Sequence, residues 1–398
     1  MNNKRITKVL SYVLVAVLSA TVTVGAMYCF LLPRNSGESK LTALEKLIQQ
    51  YFIGEYDQTK MEDAAADAMV GALGDRWSYY IPADSWQAYQ EQMKNAYVGI
   101  GVTVQGREDG KGIDVKSVTA GGPAEEAGVK AGDLITGVDG NSIVGIAVSD
   151  VKPLIQGKSG TSVKLTILRD GNTLEIQVTR REIKTPVATA KLLEGNIGYI
   201  KIANFNSNCA DETIAAIEEM IDGGATKLLF DVRYNPGGYA SELVKLLDYL
   251  LPEGKLFTRV DYSGKESTDM SDAHCVDLPM AVLVNADSYS AAEFFAAALS
   301  EYGVAQVVGE KTVGKGYFQS TFQLPDGSAV GLSIGKYYTP KGESLAGVGI
   351  TPDVEVAVTD EIAAQIYAGT LDLSEDPQAL GAIQALNESK PACSYATG

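Results

Sequence analysis

The stretch MAVLVNADSYSAAEFFAAALSEYGVAQVVGEKTVGKGYFQ, from Met280 to Gln319, decides the fold and carries the chemistry of this chain. It opens with a short apolar run, Ala281 to Val284, which predicts a buried strand. From Ser290 onward, apolar residues recur at helical spacing, and Gly303 marks the predicted end of the helix. Ser290 therefore lies at a strand-to-helix junction, where a sharp turn exposes its hydroxyl and the N–H of Ala291 can stabilise an oxyanion.

Two interpretations of Ser290 remain open on this pattern alone. Ser290 and Glu293 match the S-x-x-E capping box, in which the serine only caps the helix. A nucleophilic serine needs a base, and the single histidine of the chain, His274, leaves little room for an imidazole-based site. Lysine can serve instead when burial lowers its pKa from about 10.4 towards neutrality. Lys315 is the candidate base, because its neighbours are glycines and apolar or aromatic residues.

A phosphate-binding loop competes for the same lysine. Residues 309–315, GEKTVGK, fit the first seven positions of G-x-x-x-x-G-K-[ST], but Gly316 replaces the hydroxyl residue that would bind Mg²⁺. A helix should follow such a loop, whereas YFQSTFQL and the turn at Pro325 to Gly327 predict a strand and a hairpin. The pattern therefore favours a catalytic lysine over a phosphate site.

The runs LVNADSYSAAEFFAAAL and VVGEKTVGKGYFQ resemble the active-site signature of the carboxyl-terminal processing peptidases, also called tail-specific proteases. The resemblance implies a Ser/Lys dyad with Ser290 as nucleophile, Lys315 as general base and Gln319 as the hydrogen-bonding partner of the lysine. The chain departs from the family pattern S-A-S-A-S-E at Tyr289 and Ala292, next to the nucleophile. Tyr289 could narrow the cleft or act as a gate.

Composition excludes several classes of partner and cofactor. Among 398 residues, 33 lysines and arginines face 50 aspartates and glutamates, a net charge of −17, which argues against binding nucleic acid or an anionic membrane by charge. Outside the apolar N-terminal segment, Cys209, Cys275 and Cys393 give no metal-ligand spacing, and we expect no metal or cofactor. A Cys209–Cys275 disulfide remains an alternative to buried thiols.

The N-terminal segment predicts a membrane anchor. Residues 1–9 carry Lys4, Arg5 and Lys8, and residues 10–32 contain no charge, which is long enough to span a bilayer with the N-terminus in the cytoplasm. The rest of the chain would then lie outside the cytoplasm, on a single-pass cell-membrane protein. A cleaved signal peptide is the alternative, because small residues near Ala20 and Ala26 offer a cut site.

Residues 33–95 predict a helical N-terminal region. Helices are expected over Leu41 to Tyr51, Met61 to Leu73 and Trp86 to Lys94, with apolar stripes that need a partner. The segment, which includes GDRWSYYIP, resembles the family's helical region that packs on the protease and often mediates dimerisation. A plain helical cap on the core is the alternative to a homodimer.

Residues 96–182 resemble a PDZ domain. Tyr97-Val-Gly-Ile-Gly-Val102 is similar to its carboxylate-binding loop, and GGPAEEAGVKAGDLITGVDGNSI is similar to the middle of that fold. Backbone N–H groups at Ile100, Gly101 and Val102 can hold a chain-terminal carboxylate, and glycine at 99 and 101 permits close approach. Because Ile100 and Val102 are apolar, substrate tails with apolar end residues are expected.

Residues 183–360 predict the serine protease core, in which strands and helices alternate. Its motif Asp231-Val-Arg-Tyr-Asn-Pro-Gly-Gly238 resembles the family's D-x-R-x-N-P-G-G turn, which implies that Gly237, with Gly238 close behind, completes the oxyanion hole with Ala291. Residues 361–398 are expected to form a tail with one helix from Pro377 to Asn387.

Together these features predict an α/β (mixed α+β) protease core of the ClpP/crotonase-like type, with an inserted PDZ domain, a helical N-terminal region and one transmembrane helix. The resemblance implies a membrane-anchored serine endopeptidase that selects protein or peptide substrates by their C-termini. A catalytically silent PDZ scaffold of the same fold is the alternative, favoured only by the altered surroundings of Ser290.

Overall fold

The structure is a computed structural model that describes residues 39–107 and 109–388, together with Val17, Ser19 and Thr21. The predicted cytoplasmic tail and, except for those three residues, the predicted anchor at 10–32 lie outside this part. None of the helices in the described part is long and apolar enough to cross a bilayer. The chain divides into two compact units, Met1–Glu62 and Asp63–Gly398.

Two helices account for most of the described N-terminal segment. Helix α1 spans Lys40–Tyr51, and α2 spans Gln58–Gly71, close to the predicted positions. Helix α1 begins where it does because the Ser39 hydroxyl oxygen accepts the Thr42 N–H at 3.1 Å, which satisfies one of the free donors of the first turn.

A second segment begins with a short strand and a helix and continues into an antiparallel domain. Its elements are β1 Tyr79–Ile81, α3 Trp86–Met93, β2 Ala96–Gly99, β3 Val102–Gly106, β4 Ile113–Val118, α4 Pro123–Glu126, β5 Leu134–Val138, β6 Asn141–Ser142, α5 Val148–Ile155, β7 Ser162–Arg169, β8 Asn172–Thr179 and β9 Arg181–Lys184.

The antiparallel domain is a sheet of order β3-β4-β5-β7-β8, with β6 paired to β5. Alternate residues of β7, namely Val163, Leu165 and Ile167, are fully buried, as expected for a strand with one face on a core. Strands β2 and β9 pair outside this sheet, with Ala96 opposite Lys184, so the chain enters and leaves the domain at one place.

The remaining elements form the larger core. They are β10 Ala188–Leu193, β11 Ile197–Ile202, α6 Cys209–Asp222, β12 Lys227–Asp231, α7 Ala240–Leu250, β13 Gly254–Asp261, β14 Glu266–Ser271, β15 Met280–Val284, α8 Ala291–Glu301, β16 Ala305–Gly309, β17 Tyr317–Gln323, β18 Ala329–Tyr338, β19 Val354–Glu355, α9 Asp360–Ala368 and α10 Pro377–Glu388.

The central sheet has the order β10-β11-β12-β15-β16-β19, and every pair except β10–β11 is parallel. All five residues of β15 are buried, because a parallel strand is covered by helices on both faces. Apolar residues of α6, α7 and α8 pack on one face, and those of α10 pack on the other. The prediction of alternating strands and helices around a sheet is confirmed.

The described part of the C-terminal segment, residues 360–388, contains more helix than the predicted tail. Both α9 and α10 are present, so the single-helix prediction is wrong. The apolar face of α10, which includes Ala382 and Leu386, is completely buried against Leu283 and its neighbours in the sheet. The helix from Pro377 was predicted, but a sequence pattern does not reveal which sheet face that helix covers.

A second sheet of five antiparallel strands carries the segment after the candidate lysine. Its order is β1-β18-β13-β14, with β17 also paired to β18. Cys209, at the start of α6, is a free and buried thiol, so the Cys209–Cys275 disulfide does not form.

Candidate active site

Ser290 occupies the tight junction between β15 and α8. Its backbone is in the left-handed half of conformational space, with φ 60° and ψ −125°, and the residue is 8% exposed. Because β12 and β15 are parallel neighbours, the turns that follow them meet at the same edge of the sheet. The Tyr234 N–H after β12 donates to the Asn285 Oδ1 after β15 at 2.9 Å, which locks the two turns together.

Glu293 links the Ser290 junction to the loop that carries Lys315. The predicted capping box is present, and the buried Glu293 carboxylate accepts the Ser290 N–H at 2.9 Å. The same carboxylate accepts the Gly314 and Lys315 N–H groups at 2.7 and 2.8 Å and the Thr312 hydroxyl at 2.5 Å. The carboxylate therefore binds backbone N–H groups on both sides of the candidate site.

Lys315 lies in the environment expected for a lysine base. Burial lowers the pKa of its amine to about 8, although the nearby carboxylates of Asp75 and Glu293 act in the opposite direction. Its Nζ lies 5.0 Å from the centroid of the Trp77 ring and 5.7 Å from that of Tyr289. Within residues 39–107 and 109–388, no hydrogen bond joins this Nζ to the Ser290 Oγ.

Gln319 has different partners from the predicted one. Its Nε2 donates to the Ser333 Oγ at 3.0 Å, across the β17–β18 pair, and more weakly to the Tyr317 carbonyl at 3.5 Å. No hydrogen bond to Lys315 is found in the described part of the chain.

The Gly237–Gly238 turn lies directly against Ser290. A Cβ on Gly237 would lie 2.7 Å from the Ser290 Cβ and 2.8 Å from the Ala291 nitrogen, and the φ of 85° at Gly237 favours glycine as well. The Gly237 N–H, however, donates to the Asn235 Oδ1 at 2.8 Å. The N–H of Gly237, the donor first assigned to the oxyanion hole, is therefore already hydrogen-bonded within the turn.

Gly238 and Ala291 retain free N–H groups. Gly238 forms a parallel bridge with Phe205, in which the bonds are made by the flanking residues: Phe205 N–H donates to the Gly237 carbonyl and Tyr239 N–H to the Phe205 carbonyl. Among the described residues, neither the Gly238 nor the Ala291 N–H donates to an acceptor. Both residues line a small apolar cavity with Ser290, bounded by Phe257, Phe294 and Tyr337.

A buried ion-pair network holds the turn in place. The Arg233 guanidinium donates to both Asp231 oxygens, at 3.0 and 2.7 Å, and to Asp376 at 2.7 Å and Gln378 at 3.0 Å. Burial alone would raise the pKa of Asp231, but the Arg233 charge outweighs it and holds this pKa below its usual value. Because Asp376 and Gln378 belong to the start of α10, the C-terminal helix positions the turn next to Ser290.

The predicted carboxylate-binding loop lines a separate groove. Gly99, Ile100, Gly101 and Val102 border an open groove of about 1010 Å³, whose other walls include Val148, Lys152 and Ile155 of α5 and Gln87 and Glu91 of α3. The carbonyls of Ile100 and Gly101 accept the Ala124 and Thr119 N–H groups, which fixes the loop through its acceptors.

The structure excludes the phosphate-loop hypothesis. Lys315 is followed by the strand β17 and not by a helix, and the Gly314 and Lys315 N–H groups are bound to the Glu293 carboxylate. The backbone donors that would hold a phosphate are therefore engaged by an anion of the protein itself.

The contribution of the segment Asp75 to Ser78 was not predicted from the sequence. This loop brings Trp77 to the Lys315 amine and Asp75 into its electrostatic environment. The motif GDRWSYY was visible in the sequence, but nothing local in it indicates proximity to a lysine more than two hundred residues later.

Comparison with known proteins identifies the class. The sequence profile of peptidase family S41 matches residues 196–356, and that of a PDZ domain matches residues 115–169. The fold and site are thus those of a serine peptidase that carries a PDZ domain.

Curated relatives refine this class. The chain is 34% identical over 332 residues to the carboxy-terminal processing protease CtpA of Bacillus subtilis (strain 168), covering 82% of this chain and 71% of that protein. It is 33% identical over 352 residues to a probable CtpA-like serine protease of Staphylococcus aureus (strain COL), covering 85% and 70%. The chain belongs to peptidase family S41, with CtpA-like carboxy-terminal processing proteases among its homologues.

A solved structure that matches most of this chain is that of a photosystem II D1 C-terminal processing protease. It is 27% identical to this chain, with a TM-score of 0.47, and the match covers 86% of this chain and 93% of that one.

Proposed function

We propose that this protein is a membrane-anchored carboxyl-terminal processing endopeptidase that cleaves peptide bonds with a Ser290/Lys315 dyad. The observation that carries the proposal is a partly buried lysine, whose pKa burial lowers to about 8, on a loop that Glu293 ties to the strained Ser290 junction. A neutral amine at that position can accept the serine proton near physiological pH.

The mechanism follows from the placement of these groups. Lys315 accepts the Ser290 proton, and the Ser290 oxygen attacks the scissile carbonyl to form a tetrahedral intermediate. The free N–H groups of Gly238 and Ala291 hold the oxyanion, while Gly237 keeps its bond to Asn235. Protonated Lys315 then gives its proton to the leaving amine, and water, deprotonated by Lys315, hydrolyses the acyl-enzyme.

Gln319 acts on the strand that follows the lysine. Its bond to Ser333 fixes β17 against β18 in the described state. In the catalytic state, the side chain of Lys315 turns from the aromatic rings to Ser290, and the Gln319 amide becomes a partner that orients the amine. The dyad is therefore assembled by a side-chain movement, within folded surroundings that Glu293 keeps fixed.

The PDZ groove selects the substrate by its free C-terminus. The loop from Gly99 to Val102 offers N–H groups to the terminal carboxylate, and Ile100, Val102 and Ile155 form an apolar pocket for the last side chain. Docking of a tail also gates the site. Equal cleavage rates for one substrate with a free and an amidated C-terminus would contradict both statements.

The peptidase lies outside the cytoplasm on an N-terminal anchor. The uncharged residues 10–32, preceded by Lys4, Arg5 and Lys8, support this placement. Extraction of cell membranes with alkaline carbonate should leave the full chain in the pellet, and its release into the supernatant would contradict the anchor.

The anchored chains pair as homodimers through α1. Leu41, Leu44, Leu47 and Tyr51 of this helix are between 46% and 71% exposed, which is unusual for so many large apolar residues on one short helix. Sedimentation of the detergent-solubilised protein should give a dimer that Leu44→Asp converts to a monomer. A dimer unaffected by that change would exclude this face.

Cleavage of casein or a tail peptide by the full chain tests the dyad. Both Ser290→Ala and Lys315→Ala should lower kcat by at least about 10³-fold, because each removes a member of one catalytic unit. Parental cleavage should rise with pH through about 8, since the active base is the neutral amine. Ser300→Ala on α8 and Lys311→Ala on the same loop are matched controls that should retain activity. Full cleavage by Lys315→Ala would refute the dyad.

A further inference from the structure

Two aromatic rings, those of Trp77 and Tyr289, lie close to the Lys315 amine. Trp77 comes from the loop between α2 and β1, and Tyr289 directly precedes Ser290. Their ring centroids are 5.7 Å apart, with an interplanar angle of 32°. The Lys315 Nζ lies within about 6 Å of both centroids, the range in which an ammonium is attracted by an aromatic face.

Three charged groups, Asp75, Arg76 and Glu293, lie near the amine or the rings, and the Tyr289 phenol is titratable. The Asp75 carboxylate accepts hydrogen bonds from the Ser78 hydroxyl at 2.6 Å and from the backbone N–H of Trp77 at 3.1 Å. Burial alone would raise the pKa of Asp75, but hydrogen bonds from Ser78, Ser333 and backbone N–H groups outweigh it, so the pKa lies below its usual value and Asp75 is charged at neutral pH. Glu293 faces the lysine from α8, the Arg76 guanidinium lies 4.3 Å from the Trp77 centroid, and Tyr289 keeps its phenolic proton because burial raises its pKa.

These groups act on the amine in opposite directions. Asp75, Glu293 and the two ring faces all favour the ammonium form. Exclusion of water favours the neutral amine, and it is the dominant effect, because the pKa of Lys315 is lowered to about 8 despite two carboxylates. Whatever covers the amine therefore determines the pH at which the base becomes available.

We propose that Trp77 is a positioning residue for the catalytic lysine, whose indole covers the Lys315 amine against water and, with Tyr289, holds it until substrate is bound. This inference rests on the proposed Ser290/Lys315 function. It gives a role to Tyr289, which directly precedes Ser290, and it makes the segment before β1 part of the active site.

Titration of Lys315 itself tests the proposal without any need for activity. In the Ser290→Ala background, competitive labelling of the amine with acetic anhydride across pH, read by mass spectrometry, gives its titration midpoint. The parent should titrate near 8, Trp77→Phe should stay close to it, and Trp77→Ala should move upward by more than about one pH unit, towards the solvated value. Trp86→Ala removes the other tryptophan, which stacks on Tyr89, and should leave the midpoint unchanged.

The pH profile of kcat/KM separates positioning from a purely structural role. Trp77→Ala should lose about tenfold at pH 7 for each unit by which the midpoint rises, and should recover towards the parent at high pH. A structural defect would lower activity at every pH by a similar factor. Trp77→Gln, which brings a polar group to the amine and is less disruptive, should shift the midpoint in the same direction if the alanine variant does not fold.

A Trp77→Ala or Trp77→Gln protein that folds and labels with the parental midpoint would overturn the proposal. That result differs from failure of the dyad, which would appear as full cleavage by Lys315→Ala whatever the labelling of Lys315 in the Trp77 variants.

Discussion

Glu293 is the residue on which the relative placement of Ser290 and Lys315, the proposed dyad, depends. It is completely buried, yet its carboxylate has a donor from Ser290 on one side and donors from Thr312, Gly314 and Lys315 on the other. A buried carboxylate is stable only when hydrogen bonds replace its lost hydration, and here four donors do so.

Removal of this carboxylate should damage both stability and catalysis. Glu293→Ala leaves several buried donors without an acceptor, and we expect it to lower the free energy of unfolding by about 3–5 kcal/mol. Glu293→Gln keeps the shape but places an NH₂ group against N–H donors, and should lower kcat even where the protein folds. Denaturant unfolding and peptide cleavage measure the two effects.

A partly exposed glutamate on the same helix provides the comparison for Glu293. Glu301 accepts a single N–H, from Lys341, and Glu301→Gln should change stability by less than about 1 kcal/mol. Equal effects of the two glutamine variants would show that the Glu293 carboxylate has no special role.

At this scale, local sequence determined what could be foreseen. The position of Ser290 followed from the switch of apolar spacing between strand and helix, and the glycine, apolar and aromatic neighbours of Lys315 predicted a lysine whose pKa is lowered by burial. Asn235 could not be assigned as the acceptor for Gly237, nor Trp77 as the cover of Lys315, because each of these contacts depends on side-chain placement that periodicity does not encode.

Among the elements, α10 has two structural roles that its predicted helical conformation did not indicate. Its inner face closes one side of the central sheet, and its first residues hold Arg233 and thereby the turn with Gly238. The sequence predicted this helix, but it did not reveal that the helix is a layer of the core, because several strands supply the surface it covers.

Two substitutions on opposite faces of α10 test this role. Ala382 is completely buried, and Ala382→Glu would bring a charge into the sheet interface, so we expect a loss of more than about 3 kcal/mol in unfolding free energy. Leu380 is 48% exposed, and Leu380→Glu should change it by no more than about 0.5 kcal/mol. Thermal unfolding of both variants measures the difference. Similar melting temperatures would mean that packing of α10 against the sheet does not contribute to the stability of the core.

In the whole molecule, α3 lies between the PDZ groove and the sheet that carries the segment after Lys315. Gln87 and Glu91 line the groove, while the hydroxyl of Tyr89 on the same helix is 2.8 Å from that of Tyr79. The Tyr79 hydroxyl is in turn 3.0 Å from the Thr321 Oγ1 on β17, two residues beyond Gln319. Burial raises the pKa of Tyr79 to about 12, so the hydroxyl at the centre of this chain keeps its proton and can form hydrogen bonds at working pH.

This chain of hydroxyl contacts predicts how a docked tail acts on the proposed dyad. The coupling between the groove and the dyad can be measured directly. A tail that fills the groove contacts α3, and the hydroxyl chain transmits a shift of α3 to β17 and so to Lys315 and Gln319. Tyr89→Phe keeps the ring and removes the hydroxyl. It should reduce the ratio of cleavage rates for free and amidated tails by about fivefold, the equivalent of the roughly 1 kcal/mol net value of one hydrogen bond.

The adjacent tyrosine on β1 is the matched control, since its hydroxyl donates to Asp63 at 2.7 Å and takes no part in the chain to β17. Tyr80→Phe should therefore leave the ratio unchanged, and tail affinity, measured by fluorescence anisotropy, should be the same in both variants. If Tyr89→Phe changes neither the tail affinity nor the ratio of cleavage rates for free and amidated tails, α3 only lines the groove and does not couple it to the active site. A change in tail affinity alone would assign α3 to tail binding. Only a fall in the ratio of cleavage rates at constant tail affinity identifies α3 as the link between recognition and cleavage.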